Sequence, residues 1–261
     1  MQRLKFLTYN TDGHVAVVNL AHPPVNAVTE TMYQEIRHLF GNTAEYLPDA
    51  RAIVLTGGES KHFCGGSDLN GFAELTPENA PERMRTVREA FWAIYDCPLP
   101  VIAAVHGAAL GTGLAIAASC DMVIAAEGAK IGLPEVAVGM MGGAKHASRL
   151  VPPALARLLH YTADPLPAED FVAHGGVLKV VPRERLLDEA TALAARMARH
   201  SPVALGFAKR SLNTIEYMDL KSGYEFEQGL SGELSAYPDA KEAATAFFER
   251  REPKYTGWVN D

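Results

Sequence analysis

Shortages set the first limits on this chain. Cysteine occurs three times, as Cys64, Cys97 and Cys120, never in a C-x-x-C pair and never with a histidine at zinc-binding spacing. That pattern excludes a disulfide framework, predicts no metal site and fits a reducing compartment. Basic residues are outnumbered, 24 Lys and Arg against 31 Asp and Glu, for a net charge of -7. That balance argues against a nucleic-acid partner, which would need clustered Lys and Arg to neutralise phosphates. No uncharged run reaches the length of a membrane span, and the opening MQRLKFLTYN lacks the apolar stretch of a secretion signal. A soluble, cytoplasmic protein with no membrane partner is therefore expected. Neither a Gly/Ser linker nor a low-complexity segment interrupts the sequence. What the chain does have is apolar residues, 48% of its 261, enough for one large core.

The spacing of those residues changes along the chain. Segments 4–9 and 15–20 are rich in β-branched and aromatic residues and flank the turn former Asp12-Gly13, which predicts a hairpin. Thr29 then opens a helix with Met32, Ile36, Leu39 and Phe40 at helical spacing, followed by a buried-type strand over 52–55. A second helix over 82–95 starts behind Pro81, stops before Cys97-Pro98 and delivers the chain into a strand over 101–105. A tightly packed helix over 113–119 and strands over 122–125 and 130–133 follow. Beyond Gly143 the texture is helical, over 144–150, 153–161, 168–174, 183–199, 202–214, 219–234 and 239–250, with one more strand over 177–181. The pattern reads as one α/β unit with a helical extension that docks on the core or on a neighbouring subunit.

Two glycine-rich stretches each follow an apolar strand: HFCGGSDLNGF at 62–72 and HGAALGTGLAIAASCD at 106–121. Glycine admits the dihedrals that let backbone N–H groups converge, so each stretch suits half of an oxyanion site; each also suits a close-packing turn. The spacing of Gly107, Gly111 and Gly113, with Tyr217-x-x-x-Lys221, fits a short-chain dehydrogenase as well. A dinucleotide turn, however, follows the first strand of a βαβ unit and has an acidic residue about 20 positions on. Here some hundred residues precede the glycines. A third stretch, IGLPEVAVGMMGG, sets Glu135 behind Pro134, whose ring restrains Leu133 and gives the carboxylate a defined direction.

In order and spacing these stretches resemble the crotonase family, the enoyl-CoA hydratase/isomerase superfamily. Pro23-Pro24-Val25-Asn26-Ala27 is similar to its early Pro-x-x-Asn-Ala segment, and Phe63-Cys64-Gly65-Gly66-Ser67-Asp68-Leu69 to its Phe-x-Ala-Gly-x-Asp-Leu/Ile turn. Val105-His106-Gly107, Cys120-Asp121, Gly132-Leu133-Pro134-Glu135 and Arg149-Leu150 complete a series that spans about residues 4–251. The resemblance implies an α/β fold: a crotonase-like spiral of repeated ββα units over 1–200 that carries an acyl-CoA site. A C-terminal helical segment, 201–261, would serve oligomerisation and pocket closure. It also implies an acyl-CoA substrate, no cofactor beyond the coenzyme A of that substrate, and a homotrimer or dimer of trimers. By position it assigns the oxyanion amides to the backbone N–H groups of Ser67 and Thr112 and the acid/base to Glu135. Substrate contacts fall to Asn26, Cys64, Gly65, Gly66, Asp68, Leu69 and Gly111. Thr112 departs from the family's usual glycine, yet its N–H can still donate. Amides so placed polarise a thioester carbonyl and lower the cost of an α-carbanion or a tetrahedral adduct.

One family feature is missing. Hydratase relatives carry two glutamates, the first in the helix after the second glycine turn, and Ala115 holds that place here. Hydration asks for a base toward water and a proton toward the α-carbon, roles that paired carboxylates divide. A lone glutamate suits a proton shuttle between carbons of one enoyl-CoA, or activation of water for attack on a carbonyl. Isomerase or hydratase-like proton chemistry on a thioester enolate is the favoured expectation. The alternatives are a C–C hydrolase or decarboxylase on an oxo-acyl-CoA and, in another class, a non-catalytic acyl-CoA binder. His146, beside Lys145, stands where many relatives have a small residue and is a candidate for the pocket wall. Glu74 and Arg83 fall where acyl specificity is shaped, Tyr224 and Glu227 on a helix that closes the pocket in relatives, and Arg251 and Lys254 where CoA phosphates are within reach. For each, a solvated or packed structural role is the competing reading. Cys64 has no histidine spaced to activate it as a nucleophile.

Overall fold

The computed structural model describes residues 4–258; the outer ends of the two expected segments, 1–3 and 259–261, lie outside the described residues. Burial separates the strands at once. In β2 (Val15–Leu20) buried and half-buried residues alternate, as in a strand with one covered face, whereas β3 (Ala52–Thr56) and β4 (Val101–Val105) are buried throughout. These two therefore sit mid-sheet. Before them come β1 (Leu7–Asp12), α1 (Glu30–Gly41) and the one-turn α2 (Thr43–Tyr46), and between them α3 (Leu69–Ala73) and α4 (Ala80–Tyr95). After β4 the chain runs through β5 (Ala108–Leu110), α5 (Thr112–Ser119), β6 (Met122–Ala126) and β7 (Lys130–Gly132), then a 3₁₀ turn at Glu135–Val138. The remaining elements are α6 (Ala144–Leu150), α7 (Pro153–Thr162), β8 (Leu166–Pro167), α8 (Glu169–Val172), β9 (Lys179–Val181), α9 (Leu186–Met197), α10 (Pro202–Ile215), α11 (Leu220–Leu234) and α12 (Pro238–Glu249).

The large sheet has the order β1-β2-β3-β4-β6-β9, parallel except for the β1–β2 hairpin. A second, smaller layer has the order β5-β7-β8. Two single bridges extend it, Cys64 with Ala109 and Val28 with Ser67. Each circuit of the chain thus places a strand in the large sheet, a short extended piece in the second layer, and then a helix: β2, Val28, α1; β3, Cys64 to Ser67, α3 and α4; β4, β5, α5; β6, β7, and the turn into α6. This is the expected spiral of repeated ββα units.

One face of the large sheet packs Ile53, Leu55, Ala103 and Val105 into the main core with Met32, Ile36, Phe40, Ile94 and Leu114 from the helices. The other face sets Val54, Ile102 and Ile124 against Leu186, Ala190 and Ala194 of α9. Past residue 200, Val203, Phe207 and Leu230 form a separate small cluster. The tie from this segment to the body is polar. Lys209 of α10 is buried, donates to the carbonyls of Ile94 and Leu99, and pairs with Asp121 at 2.9 Å.

Several boundaries differ from the sequence expectation: the strand expected over 177–181 begins at Lys179 and the helix expected over 82–95 begins at Ala80. β1 lies three residues later than predicted, and the helix expected over 183–199 begins as a 3₁₀ turn at Arg183–Arg185 behind Pro182. The helix expected over 168–174 is the single turn α8. No helix among the described residues is long and apolar enough to cross a membrane.

Candidate active site

Successive circuits of a spiral bring equivalent points side by side. The bridges Val28–Ser67 and Cys64–Ala109 and the β5–β7 pairing align four circuits, so that Ser67, Thr112 and Glu135, from the last three, emerge along one seam. At the first bridge the Val28 N–H donates to the Gly66 carbonyl at 2.8 Å and the Asp68 N–H to the Val28 carbonyl at 2.9 Å. A parallel bridge uses the peptide groups flanking the bridged residue, which leaves the N–H of Ser67 itself facing the opposite way. Across the seam, Gly111 at φ +53 turns the chain out of β5 and into α5. Thr112 is the first residue of that helix, so its N–H is one of the orphan donors at the positive end of the helix dipole. No acceptor among the described residues takes either N–H.

The side chains of the same two residues meet. Ser67 Oγ lies 2.6 Å from Thr112 Oγ1, and the Tyr33 hydroxyl lies 2.6 Å from the first and 2.8 Å from the second. Burial pushes the Tyr33 phenol up to about 12, so it stays protonated. Tyr33 belongs to the site but not to the sequence expectation. It shares the buried side of α1 with Met32 and Ile36 and reads as core. The one available signal was its hydroxyl, which needs a partner when buried.

Glu135 closes the seam. It opens the 3₁₀ turn behind Pro134, and its carbonyl accepts the Met140 N–H at 2.9 Å. Its Oε1 lies 3.1 Å from where a Cβ on Gly111 would stand and 3.2 Å from the same point on Gly143. Its Oε2 is shielded from solvent and has no hydrogen-bond partner. Burial raises the carboxyl pKa, against a smaller lowering by its own backbone N–H. A desolvated carboxylate without a partner is a stronger base than one in water, and it is free to exchange a proton with a ligand. Ala115, one turn along α5, is 1% exposed and puts no polar atom in the position of a second acid.

The other predicted residues divide between the turn's interior and its rim. Asn26 is fully buried at φ +54. Its amide donates to the carbonyls of Gly57, His62 and Phe63, while its Oδ1 accepts from the His22 N–H and the Ser60 hydroxyl. It buckles the 57–63 segment from within. Cys64 is buried with its thiol pushed up to about 12, Gly65 donates to the Val25 carbonyl at 2.8 Å, and Gly66 accepts from Val28. Asp68 accepts the Asn70 N–H at the start of α3, and Leu69 is exposed. A cavity of about 260 Å³ between α1, α3 and α4 has Tyr33, Asp68, Arg83 and Val87 among its walls.

His146 packs edge-on against Phe91 at 5.1 Å, and burial with Arg149 nearby pushes it down to about 4. It lines a different cavity, about 460 Å³, with Tyr95, Lys145, Arg149 and Tyr217; Ser67, Thr112 and Glu135 are not among its walls. Arg83 pairs with Glu74 at 3.5 Å, and Tyr224 is exposed on α11. Glu227 accepts from Ser211, Arg251 pairs with Glu242 and Glu249, and the Lys254 N–H donates to Glu242. Among the described residues no group of three His, Cys, Asp or Glu could hold a metal ion.

Gly107 and Gly111 are separated by β5, which pairs with β7, so they do not form the single strand-to-helix turn that a dinucleotide requires. Tyr217 donates to Glu216 at 2.6 Å and Lys145 lies 4.2 Å over its ring.

Known proteins resemble the whole chain. The profile of the enoyl-CoA hydratase/isomerase family matches residues 10–258. The (7aS)-7a-methyl-1,5-dioxo-2,3,5,6,7,7a-hexahydro-1H-indene-carboxyl-CoA hydrolase of Rhodococcus jostii is 34% identical over 255 residues, which cover 95% of this chain and 96% of the relative. The short-chain-enoyl-CoA hydratase of Clostridium acetobutylicum is 34% identical over 256 residues, again 95% and 96%. The solved structure of Pseudomonas aeruginosa DspI superposes with a TM-score of 0.89 at 32% identity, covering 97% of this chain and 98% of that one.

Proposed function

Because the chain belongs to the enoyl-CoA hydratase/isomerase family, whose members act on CoA thioesters, we propose that it stabilises a thioester enolate with the N–H groups of Ser67 and Thr112. Glu135 is the acid/base. The reading rests on one observation above others: an unpartnered, desolvated carboxylate oxygen stands on the same seam as two unclaimed N–H donors. With Ala115 in place of a second acid, one carboxylate must both take and return the proton. That favours isomerase or hydratase-like proton transfer on an enoyl-CoA, with no cofactor beyond the substrate's own coenzyme A.

A second reading is hydrolysis of a carbon–carbon bond in a cyclic oxo-acyl-CoA. It is favoured by the hydrolase name of the Rhodococcus relative, and a lone Glu135 that activates water would serve it. We further propose a homotrimer or dimer of trimers, with residues 201–261 supplying contacts between subunits and a wall of the pocket. Liquid chromatography with mass spectrometry over a panel of acyl-CoA thioesters tests the reaction, with retention time separating isomers of equal mass. A mass-neutral rearrangement or a water gain on an open-chain enoyl-CoA supports the first reading, and a water gain confined to cyclic oxo-acyl-CoA supports the second. Loss of carbon dioxide would replace both with decarboxylation, and an unchanged panel would overturn the catalytic reading.

A further inference from the structure

Three hydroxyls, from Tyr33, Ser67 and Thr112, lie within hydrogen-bond distance of one another. Each carries one proton and can accept another. When each donates to the next, three protons fill three contacts and the ring closes with none left over. Its corners come from three circuits of the spiral: α1, the turn after Gly66, and the start of α5. Tyr33 is the buried corner, and Ser67 and Thr112 are the half-buried ones.

We propose that Tyr33 is a positioning residue for the reaction: its hydroxyl clamps Ser67 to Thr112 and so fixes the spacing and aim of their two N–H groups toward one oxygen atom. The proposal rests on the reading of these amides as an oxyanion hole. Such donors lower a barrier only when they are held in place before charge develops. Each of the two follows a glycine, and the glycine carbonyl on the same peptide plane accepts one backbone bond, Gly66 from Val28 at 2.8 Å and Gly111 from Ala115 at 3.0 Å; a plane held at one end can still swing about that bond, and neither N–H is itself held. The ring supplies the restraint from the side chains. Tyr33 is itself fixed, one turn inside a helix capped by Thr29, with Phe91 edge-on at 6.1 Å. Turning its hydroxyl away would leave a buried donor unmade, and the high phenol pKa keeps the proton in the ring.

The test uses the full chain and 2,4-hexadienoyl-CoA, a conjugated thioester whose absorption moves to longer wavelength when its carbonyl is polarised. Wild-type protein is expected to produce that shift. Tyr33→Phe keeps the ring of carbon atoms and its contact with Phe91 but removes the hydroxyl. It is expected to lose most of the shift and to lower kcat roughly 10- to 100-fold while KM stays within about threefold, the pattern of misaligned rather than absent groups. Ser67→Ala should do the same, and the double variant should be no worse than the weaker single, because a ring already broken cannot be broken again. A full shift in Tyr33→Phe, or losses that multiply in the double variant, overturns the clamp. Absence of any shift with saturating probe on wild-type protein overturns the oxyanion reading itself. Should Tyr33→Phe fail to fold, Ser67→Ala at its half-exposed corner carries the same expectation.

Discussion

Glu135 is held where a carboxylate is least comfortable, with one oxygen buried and unpartnered and its pKa raised by burial. A carboxyl whose folded pKa lies above its unfolded value stabilises the fold below the unfolded pKa, and that contribution is lost as pH rises through the folded value. At neutral pH the ionised side chain therefore weighs against folding. Glu135→Gln should raise the Tm at pH 7 and lower turnover roughly 100- to 10,000-fold; differential scanning calorimetry and steady-state kinetics read the two effects. Turnover equal to wild type would remove Glu135 from the mechanism. In the wild type the acid limb of the rate profile should sit above the ordinary carboxyl value of 4.5. His146, neutral down to about 4, does not produce a limb near neutrality. At this scale the sequence was uneven. Pro134 marks Glu135, and the glycine pairs mark Ser67 and Thr112. Tyr33 carries no mark, because a tyrosine on the buried side of a helix is patterned like any core aromatic.

The seating of α5 decides whether the two amides share one oxygen. A Cβ on Gly113 would overlap the Cys64 carbonyl oxygen and stand 3.0 Å from the Cys64 Cβ, so this helix rests directly on the strand that leads to Ser67. Gly113→Ala must push the two apart. The expected cost is about 1–3 kcal/mol in urea unfolding, as for other overpacked sites, with turnover falling more steeply than stability because the amides separate. An alanine variant that unfolds and turns over like wild type would show that the seat yields. Elements with a long period were legible: the helix predicted over 202–214 is α10, and that over 219–234 is α11. β5 and β8, three and two residues long, have no period to read; only their partners in the second layer make them strands. β1 was displaced for another reason. As the edge strand it leaves Asn10, Thr11 and Asp12 exposed or nearly so, and polar residues there look like loop.

Four circuits of one spiral make a single seam, and the family's motifs announced that arrangement because they mark the same phase of successive circuits. How the last helices attach was hidden. Lys209 lies on an amphipathic helix, where a lysine normally reads as solvated, yet its amine is buried against Asp121 and two carbonyls. Those helices also leave Leu220, Phe247 and Phe248 at 87%, 78% and 82% exposure, apolar side chains that the proposed assembly would cover. Sedimentation equilibrium should give a trimer or hexamer, and Phe247→Ser with Phe248→Ser should shift it toward smaller species; a monomer at micromolar concentration would overturn the proposed assembly. The chain has two tryptophans. Trp258 stacks on Phe207 at 6.2 Å and stands edge-on to Tyr237, whereas Trp92 belongs to α4 and the wall of the cavity that holds His146. Intrinsic emission is thereby split into two addresses. With Trp92 replaced by phenylalanine, a single fluorophore reports when the tail lifts from α10, with no dye attached and no change to the seam.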